Sequence, residues 1–269
     1  MALPTLEVLI STYGPQGLQR VAQMTLPKHK RVRYLVCCQT DDYNLNAFDT
    51  SILAYRKDIQ LKMIPGKGLS ANRNAALSFA SADYLLIADD DLHYTAEQLL
   101  SVIDKFDSNA ALDIACFMPL QPYHRYPKRE LIITAQSRHR HYPQSCEIAL
   151  RRTSWQKSGV LFSSLFGINS GYLESGEDDI FFHQLLCNGL TAKYFPEAIF
   201  SHPHPSSGYK QQTPGMLRAR GAVLSIVHPR TYKLRILRLA LLLPGSARNN
   251  LRLMLDGVTY LQKHSLYNR

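Results

Sequence analysis

Over residues 83–91 the chain reads Asp-Tyr-Leu-Leu-Ile-Ala-Asp-Asp-Asp, an apolar run that ends directly in three aspartates. A continuous apolar run of this length predicts a strand that is buried on both faces. Three adjacent carboxylates at a strand end repel one another, and we expect no local residue to relieve them. A hard divalent cation would do so, and Mg²⁺ or Mn²⁺ usually shares its coordination shell with substrate phosphates. The alternative, an N-cap cluster for the next helix, is weaker because Thr95 is better placed to cap that helix.

The same pattern recurs on both sides of the aspartates. Further apolar runs predict strands at Leu6–Ile10, Arg33–Cys38, Ile59–Ile64 and Asp113–Met118. Helices are predicted between them at about residues 70–80, with Ser70 as N-cap, and after Thr95. This alternation predicts an α/β fold, a Rossmann-like, doubly wound and mostly parallel sheet. Ligands of such sheets collect at the carboxyl ends of the strands, where the polar clusters of this chain fall.

The composition limits the class of protein. The 269 residues are 45% hydrophobic and 19% charged, which is typical of a globular chain. No apolar stretch approaches the roughly 18 to 20 residues that span a bilayer, and the first residues do not resemble a signal peptide. Five cysteines at irregular spacing predict neither a disulfide framework nor a zinc site. We therefore expect a soluble, cytoplasmic protein with reduced thiols.

The positive charge is concentrated at one end of the chain. The net charge is +10, and residues 198–269 contain 11 Lys and Arg against Asp256 alone. Such a segment attracts polyanions, either nucleic acid or an anionic lipid surface, unless it is only a solvated basic face. From residue 215 onward, leucines alternate with these cations in helical segments broken at Pro229 and at residues 244–245. This favours a basic amphipathic tail on an anionic membrane surface. The alternative is that the leucines pack on the rest of the chain.

A glycine-containing segment precedes the strand that ends in aspartates. Gly66 and Gly68 come just before the predicted helix, where free backbone amides can bind an anion. Arg73 in that helix adds a planar, bidentate phosphate donor. We therefore predict a phosphate group beside this helix.

Two more clusters supply candidate catalytic and metal-binding groups. Glu177, Asp178 and Asp179 open a predicted amphipathic helix, where acids also favour the positive end of the helix dipole. A carboxylate there can act as general base on an incoming hydroxyl. His202 and His204 follow an apolar stretch, and one of them is a candidate metal ligand.

In this order, these features resemble a GT-A glycosyltransferase and are most similar to the family 2 enzymes. The matching stretches are Val8–Tyr13, Gly68–Leu77, Asp83–Asp91, Gly176–Phe182 and Pro196–His202. Each stretch alone is only moderately specific, but five in the family's order and spacing make a strong resemblance over about residues 5–205.

The resemblance implies a role for individual residues. The nucleotide would lie at Ser11, Thr12 and Tyr13 and at Asp41 or Asp42, where the surrounding sequence departs from the family pattern. The donor-binding residues would further include Arg73, Asn74, Asp89 and Asp90, with Asp89 towards the ribose. Asp91 would bind Mn²⁺ or Mg²⁺ together with His202, with His204 in its place, or with neither histidine. Asp178 would be the catalytic base, with Asp179 as the alternative.

The resemblance also implies a reaction and partners. The enzyme would transfer a sugar, with inversion, from a nucleotide sugar (a UDP-sugar in our prediction) to a hydroxyl of a glycan or lipid-linked glycan. The catalytic domain would span residues 1–214, with the nucleotide-sugar half at about 1–118 and the acceptor half at about 119–214. Residues 215–269 would form the tail that holds the protein at the cytoplasmic face of the cell membrane.

Two other functions fit part of the sequence. A sugar-phosphate nucleotidyltransferase also uses an aspartate-bound metal, but residues 11–17 make a poor version of its glycine-rich loop. A nucleic-acid-binding protein would explain the basic tail and the aromatic and basic residues at 123–126 and 139–142, but not the acidic clusters. We therefore expect no nucleic-acid partner.

Overall fold

The computed structural model describes residues 3–41, 56–122, 126–137, 142–202 and 213–264. The chain divides into two compact units. The sheet unit comprises Met1–Lys67, Ala71–Leu161 and Gln184–Pro205, and the helical unit comprises Gly68–Ser70, Phe162–His183 and Ser206–Arg269. The helical unit therefore takes in residues 162–183 as well as the basic tail.

An eight-stranded sheet forms the centre of the sheet unit, in the order β3-β2-β1-β4-β7-β5-β8-β6. Its strands are β1 (Leu6–Tyr13), β2 (Val32–Thr40), β3 (Ile59–Pro65), β4 (Tyr84–Asp89), β5 (Ile114–Pro119), β6 (Leu131–Ile133), β7 (Ile148–Arg151) and β8 (Ala192–Phe200). The strands β1 to β4 pair in parallel, as do β5 and β8, whereas β7 and β6 are antiparallel to their neighbours. The predicted strands and the mostly parallel sheet are confirmed.

The helices of the described residues follow the predicted alternation. They are α1 (Gly14–Gln23), α2 (Leu69–Phe79), α3 (Ala96–Asp107), α4 (Arg152–Ser158), α5 (Glu177–Cys187), α6 (Pro214–Val227), α7 (Tyr232–Leu242) and α8 (Ala247–His264). Thr95 caps α3 as predicted and forms a reciprocal capping box with Gln98. The prediction that Ser70 caps α2 is wrong. The helix begins at Leu69, and the Ser70 hydroxyl donates instead to the backbone carbonyl of Phe166.

The helical unit is held together by closely packed helices. A Cβ atom built on Gly221 of α6 would overlap the carbonyl oxygen of Met254, and one built on Gly257 of α8 would overlap that of Arg218. The two backbones are therefore in contact, which only glycine permits at these positions. Buried apolar side chains pack around this crossing, among them Leu217, Ala219, Ala222, Ile236, Leu253, Met254, Val258 and Leu261. Among the helices that the structure describes, none is long and apolar enough to cross a membrane.

Candidate active site

The parallel register brings the polar ends of two central strands side by side. Ser11 at the end of β1 is paired with Asp89 at the end of β4, so both sequence clusters lie at one edge of the sheet. The side-chain amide of Asn72 ties α2 to this edge by donating to the carbonyl oxygens of Thr12 and Cys37, at 2.9 and 3.0 Å. Asn72 is buried, so these bonds fix the start of α2 against β1 and β2.

The aspartates of the triplet have different partners. Asp89 Oδ1 accepts a hydrogen bond from Arg73 at 3.0 Å, and this guanidinium is 3% exposed. Asp90 accepts two hydrogen bonds from Arg20, at 2.9 and 2.7 Å, and a third from the hydroxyl of Thr12. The Asp90 carboxylate raises the pKa of Arg20. The residues that relieve Asp89 and Asp90 are therefore distant in sequence, and the local sequence did not indicate them.

Asp91 and His202 face each other at the same strand ends. The Nε2 atom of His202 lies 3.2 Å from Asp91 Oδ1. This oxygen is buried and receives no well-aligned hydrogen bond from the described residues. Desolvation raises the pKa of the Asp91 carboxyl, and His202 beside it opposes that shift. His204, the alternative ligand, lies outside the described residues.

This pair fits a divalent cation that completes its shell with a substrate. Neighbouring ligands of an octahedral Mg²⁺ or Mn²⁺ lie about 3 Å apart, close to the separation of Asp91 Oδ1 and His202 Nε2. The described residues contain no group of three His, Cys, Asp or Glu side chains that could hold a metal by themselves. Two protein ligands would leave coordination positions for phosphate oxygens and water, which is how Mg²⁺ is usually bound.

A second group of predicted residues lies beyond the end of β1. The Tyr13 hydroxyl donates to Asp41 at 2.6 Å, and this bond raises the pKa of Tyr13. Lys67 Nζ lies 5.4 Å from the centre of the Tyr13 ring. Tyr13 is 41% exposed, so its ring is available to a flat ligand. Asp42 lies outside the described residues, and Asn74 is half-buried on α2.

The predicted base lies in the helical unit, at the start of α5. Gly176 precedes this helix with φ +85°, a conformation that favours glycine, and a Cβ there would lie 2.6 Å from a methyl group of Val223. Asp178 and Asp179 are half-buried in the first turn. Desolvation, together with the charge of Asp178, raises the pKa of Asp179 to about 7, and Arg220 opposes the shift.

Sequence reasoning missed two residues of the aspartate cluster. Arg20 lies on α1, a helix that was not predicted, so nothing in the sequence linked it to Asp90. Gly17 also lies on α1, and a Cβ atom there would overlap the Thr12 hydroxyl and lie 3.2 Å from Asp90 Oδ2. The Gly-Pro start of α1 was the available signal, because proline is favoured in the first helical turn.

A mostly parallel sheet with acidic residues at its central strand ends, and Arg73 on a helix beside them, is the arrangement that the resemblance to GT-A glycosyltransferases predicts. The sequence model described as Glycosyl transferase family 2 matches residues 28–174, which is more than half of the chain. The chain belongs to this family and is a glycosyltransferase. The match includes Asp41, Arg73, Asn74 and the aspartate triplet, and it ends before Asp178 and His202.

Solved structures show the same fold. TarS from S. aureus, residues 1–349, aligns over 98% of this chain and 93% of its own, at 16% identity and a TM-score of 0.58. The complex of TarS with UDP-GlcNAc is 16% identical, with a TM-score of 0.59, and the alignment covers 98% of this chain and 74% of the chain in the complex. The mannosyltransferase PcManGT from Pyrobaculum calidifontis, in complex with GDP-Man and Mn²⁺, is 12% identical, with a TM-score of 0.55. The alignment covers 98% of this chain and 77% of PcManGT. At these identities the likeness shows the fold alone. A comparison with curated protein sequences finds no match.

Proposed function

We propose that this glycosyltransferase is a metal-dependent, inverting enzyme that uses a nucleotide sugar, in the first place a UDP-sugar. Its acceptor is a hydroxyl of a glycan or lipid-linked glycan. The observation that carries the proposal is the Asp91–His202 pair beside the Asp89–Arg73 ion pair at the strand ends. The fold neighbours support the donor class, since TarS was crystallised with UDP-GlcNAc and PcManGT with GDP-Man and Mn²⁺.

Asp91 and His202 are the residues that would hold the cation. Mn²⁺ or Mg²⁺ bound there would supply Lewis-acid assistance, because it neutralises the charge on the departing nucleoside diphosphate. Arg73 holds Asp89 in one orientation, and we assign that carboxylate to the ribose. Asp90 is already engaged by Arg20, so we assign it to positioning the turn rather than to direct donor contact.

The remaining donor contacts would come from β1, β2 and α2. Ser11 and Thr12 end β1 beside the aspartates, and the Ser11 hydroxyl is buried with no hydrogen-bond partner among the described residues. Tyr13, held by Asp41, offers its ring to the nucleotide base. Asn74 follows Arg73 on α2, and we assign this pair to the diphosphate side of the donor.

The acceptor hydroxyl needs one general base. We assign this role to Asp178, and Asp179 remains the alternative because its pKa of about 7 suits proton transfer near neutral pH. Removal of the hydroxyl proton lets the oxygen attack the anomeric carbon opposite the leaving diphosphate. A single displacement of this kind inverts the configuration, and no enzyme nucleophile is required.

A donor screen tests the proposal. The purified chain is incubated with UDP-, GDP- and dTDP-sugars in Mn²⁺, and the release of nucleoside diphosphate is measured beside that of pyrophosphate. We expect nucleoside diphosphate from one donor class, lost in Asp91→Ala and in chelator. Pyrophosphate formation from a sugar phosphate and a nucleoside triphosphate would instead identify a nucleotidyltransferase, and turnover insensitive to chelator would refute metal dependence.

We also propose that the protein acts at the cytoplasmic face of the cell membrane, with no nucleic-acid partner. The support is the charge of the tail, in which Asp256 is the one acid among residues 198–269. A basic segment of this kind binds anionic lipid, and a lipid-linked acceptor would lie in the same membrane.

A further inference from the structure

The helix α7 exposes leucines to solvent. Leu234, Leu237 and Leu241, which we call the leucine stripe, are 72%, 46% and 67% exposed. The opposite side of the helix is anchored in the helical unit, where Ile236 and Ala240 are fully buried. The helix is therefore packed on one side, and the part of the chain that the structure describes leaves the leucines on its other side exposed.

The positions of the cations around the stripe are regular. The spacing of the leucines, i, i+3 and i+7, places them within about 60° of one another at 100° per residue. The same rotation places Lys233 on one flank of the stripe and Arg238 on the other. Both cations are exposed. An apolar stripe with a long cationic side chain on each flank is an arrangement suited to a helix that lies in a lipid headgroup layer.

The chemistry of this face selects among partners. A nucleic acid would pair with the cations but offers nothing apolar to three leucines. A second copy of α7 would cover the leucines, but its own Lys233 and Arg238 would add like charge, and Asp256 is the one acid in residues 213–264. An anionic bilayer satisfies both requirements, because acyl chains receive the leucines while lipid phosphates receive the cations.

We propose that the leucine stripe of α7, flanked by Lys233 and Arg238, is the surface that inserts into an anionic phospholipid membrane. This inference rests on the proposed membrane location and narrows it to one helix face. It is independent of the proposed sugar transfer, since none of these residues belongs to the candidate active site. The helix lies flat, with the leucines below the headgroups and the cations at their level.

Vesicle flotation of the full chain tests the surface. Vesicles of phosphatidylcholine with phosphatidylglycerol are compared with vesicles of phosphatidylcholine alone, at low and high salt. We expect the wild type to float with anionic vesicles at low salt. Leu234→Ser/Leu237→Ser/Leu241→Ser should bind at least about a thousandfold more weakly, because each of the three leucines contributes about tenfold or more. Lys233→Glu/Arg238→Glu should weaken binding by about fivefold or more per cation, chiefly at low salt.

Matched controls distinguish vesicle binding by the leucine stripe from nonspecific binding by other exposed apolar side chains and from the effects of misfolding. Ile132→Ser/Leu161→Ser removes exposed apolar side chains of the sheet unit, 69% and 52% exposed, and should float like the wild type. The triple serine variant should keep the wild-type circular dichroism and donor hydrolysis. In Leu237→Trp, brominated lipids should quench the new fluorescence, whereas Trp155 is 8% exposed and should be quenched little.

Each outcome decides one point. A wild type that stays in the soluble fraction at low salt overturns both the membrane location and the stripe. Wild-type flotation of the triple serine variant, or no quenching of Leu237→Trp, leaves the location standing and overturns the stripe. Displacement from vesicles by duplex DNA without any effect of the leucines would indicate a nucleic-acid surface. A dimer that the triple serine variant abolishes, with no flotation, would indicate a second copy of the chain.

Discussion

Replacement of Asp179 by Asn is expected to stabilise the protein at pH 8 and to leave its stability unchanged near pH 4. In the folded chain, desolvation and the charge of Asp178 raise the pKa of Asp179 from 3.8 to about 7, so the ionised carboxylate is the unfavourable form. Asparagine has nearly the same shape and carries no charge. The substitution therefore removes a penalty that exists only when Asp179 is ionised.

The size of the effect follows from the pKa shift. Between about pH 4 and pH 7 the folded protein keeps a proton on Asp179 that the unfolded chain has released, so the free energy of unfolding falls as pH rises through this window. The shift corresponds to about 4 kcal/mol at 1.36 kcal/mol per pKa unit. Asp179 is half-buried, so water screens part of this penalty, and we expect Asn to gain about 2 kcal/mol at pH 8.

Urea denaturation at pH 4 and pH 8 measures this difference. Far-ultraviolet circular dichroism follows the helical unit, and unchanged slopes ensure that midpoints report stability. Asp178→Asn is the matched control and should give a smaller gain, because it removes only the charge that raises the pKa of its neighbour. A loss of stability in Asp179→Asn at pH 8, or an equal gain at both pH values, would show that Asp179 is not held in this disfavoured state.

Three other substitutions test the proposed chemistry and the packing. Asp91→Ala should abolish turnover and weaken the binding of the nucleotide sugar in Mn²⁺, measured by calorimetry; near wild-type activity in chelator would contradict the metal mechanism. Asp178→Asn should lower the turnover rate by a factor of roughly 10² to 10⁴ without loss of donor binding. If turnover is lost in Asp179→Asn and kept in Asp178→Asn, Asp179 is the base. Gly221→Ala should cost about 3 kcal/mol in thermal denaturation, because its Cβ overlaps a backbone carbonyl of α8, whereas Ser225→Ala on the same helix should cost less than 1 kcal/mol. Equal stability of these two variants would show that the helices separate easily.

The parallel part of the sheet could be predicted because each of its strands is signalled by its own residues. The apolar runs that end at Ile10, Cys38, Ile64 and Ala88 became β1 to β4, and the polar residues after them came together at one edge of the sheet. Strands buried on both faces need only continuous apolar sequence, so no knowledge of their neighbours is required.

Other features depend on contacts that are distant in sequence. The strands β6 and β7 have three and four residues, too few to show a period, and they exist because longer neighbours pair with them. The pKa of Asp179 depends on its burial and on Arg220, 41 residues later in the chain. Neither the short antiparallel strands nor the raised pKa of Asp179 is indicated by the residues next to them in sequence.

The three aspartates of the triplet have different partners because different elements of the fold pack against each of them. Asp90 is bound by Arg20 of α1 and by the hydroxyl of Thr12 of β1, and this contact is possible because Gly17 has no side chain at that point. Asp89 is the last residue of β4, and Asp90 and Asp91 lie in the turn that follows, so the hydrogen bonds to Asp90 hold this turn against β1 and α1. Asp89 can then be held by the buried Arg73 while Asp91 faces His202. A side chain at Gly17 would therefore disturb the candidate metal site without touching either of its ligands.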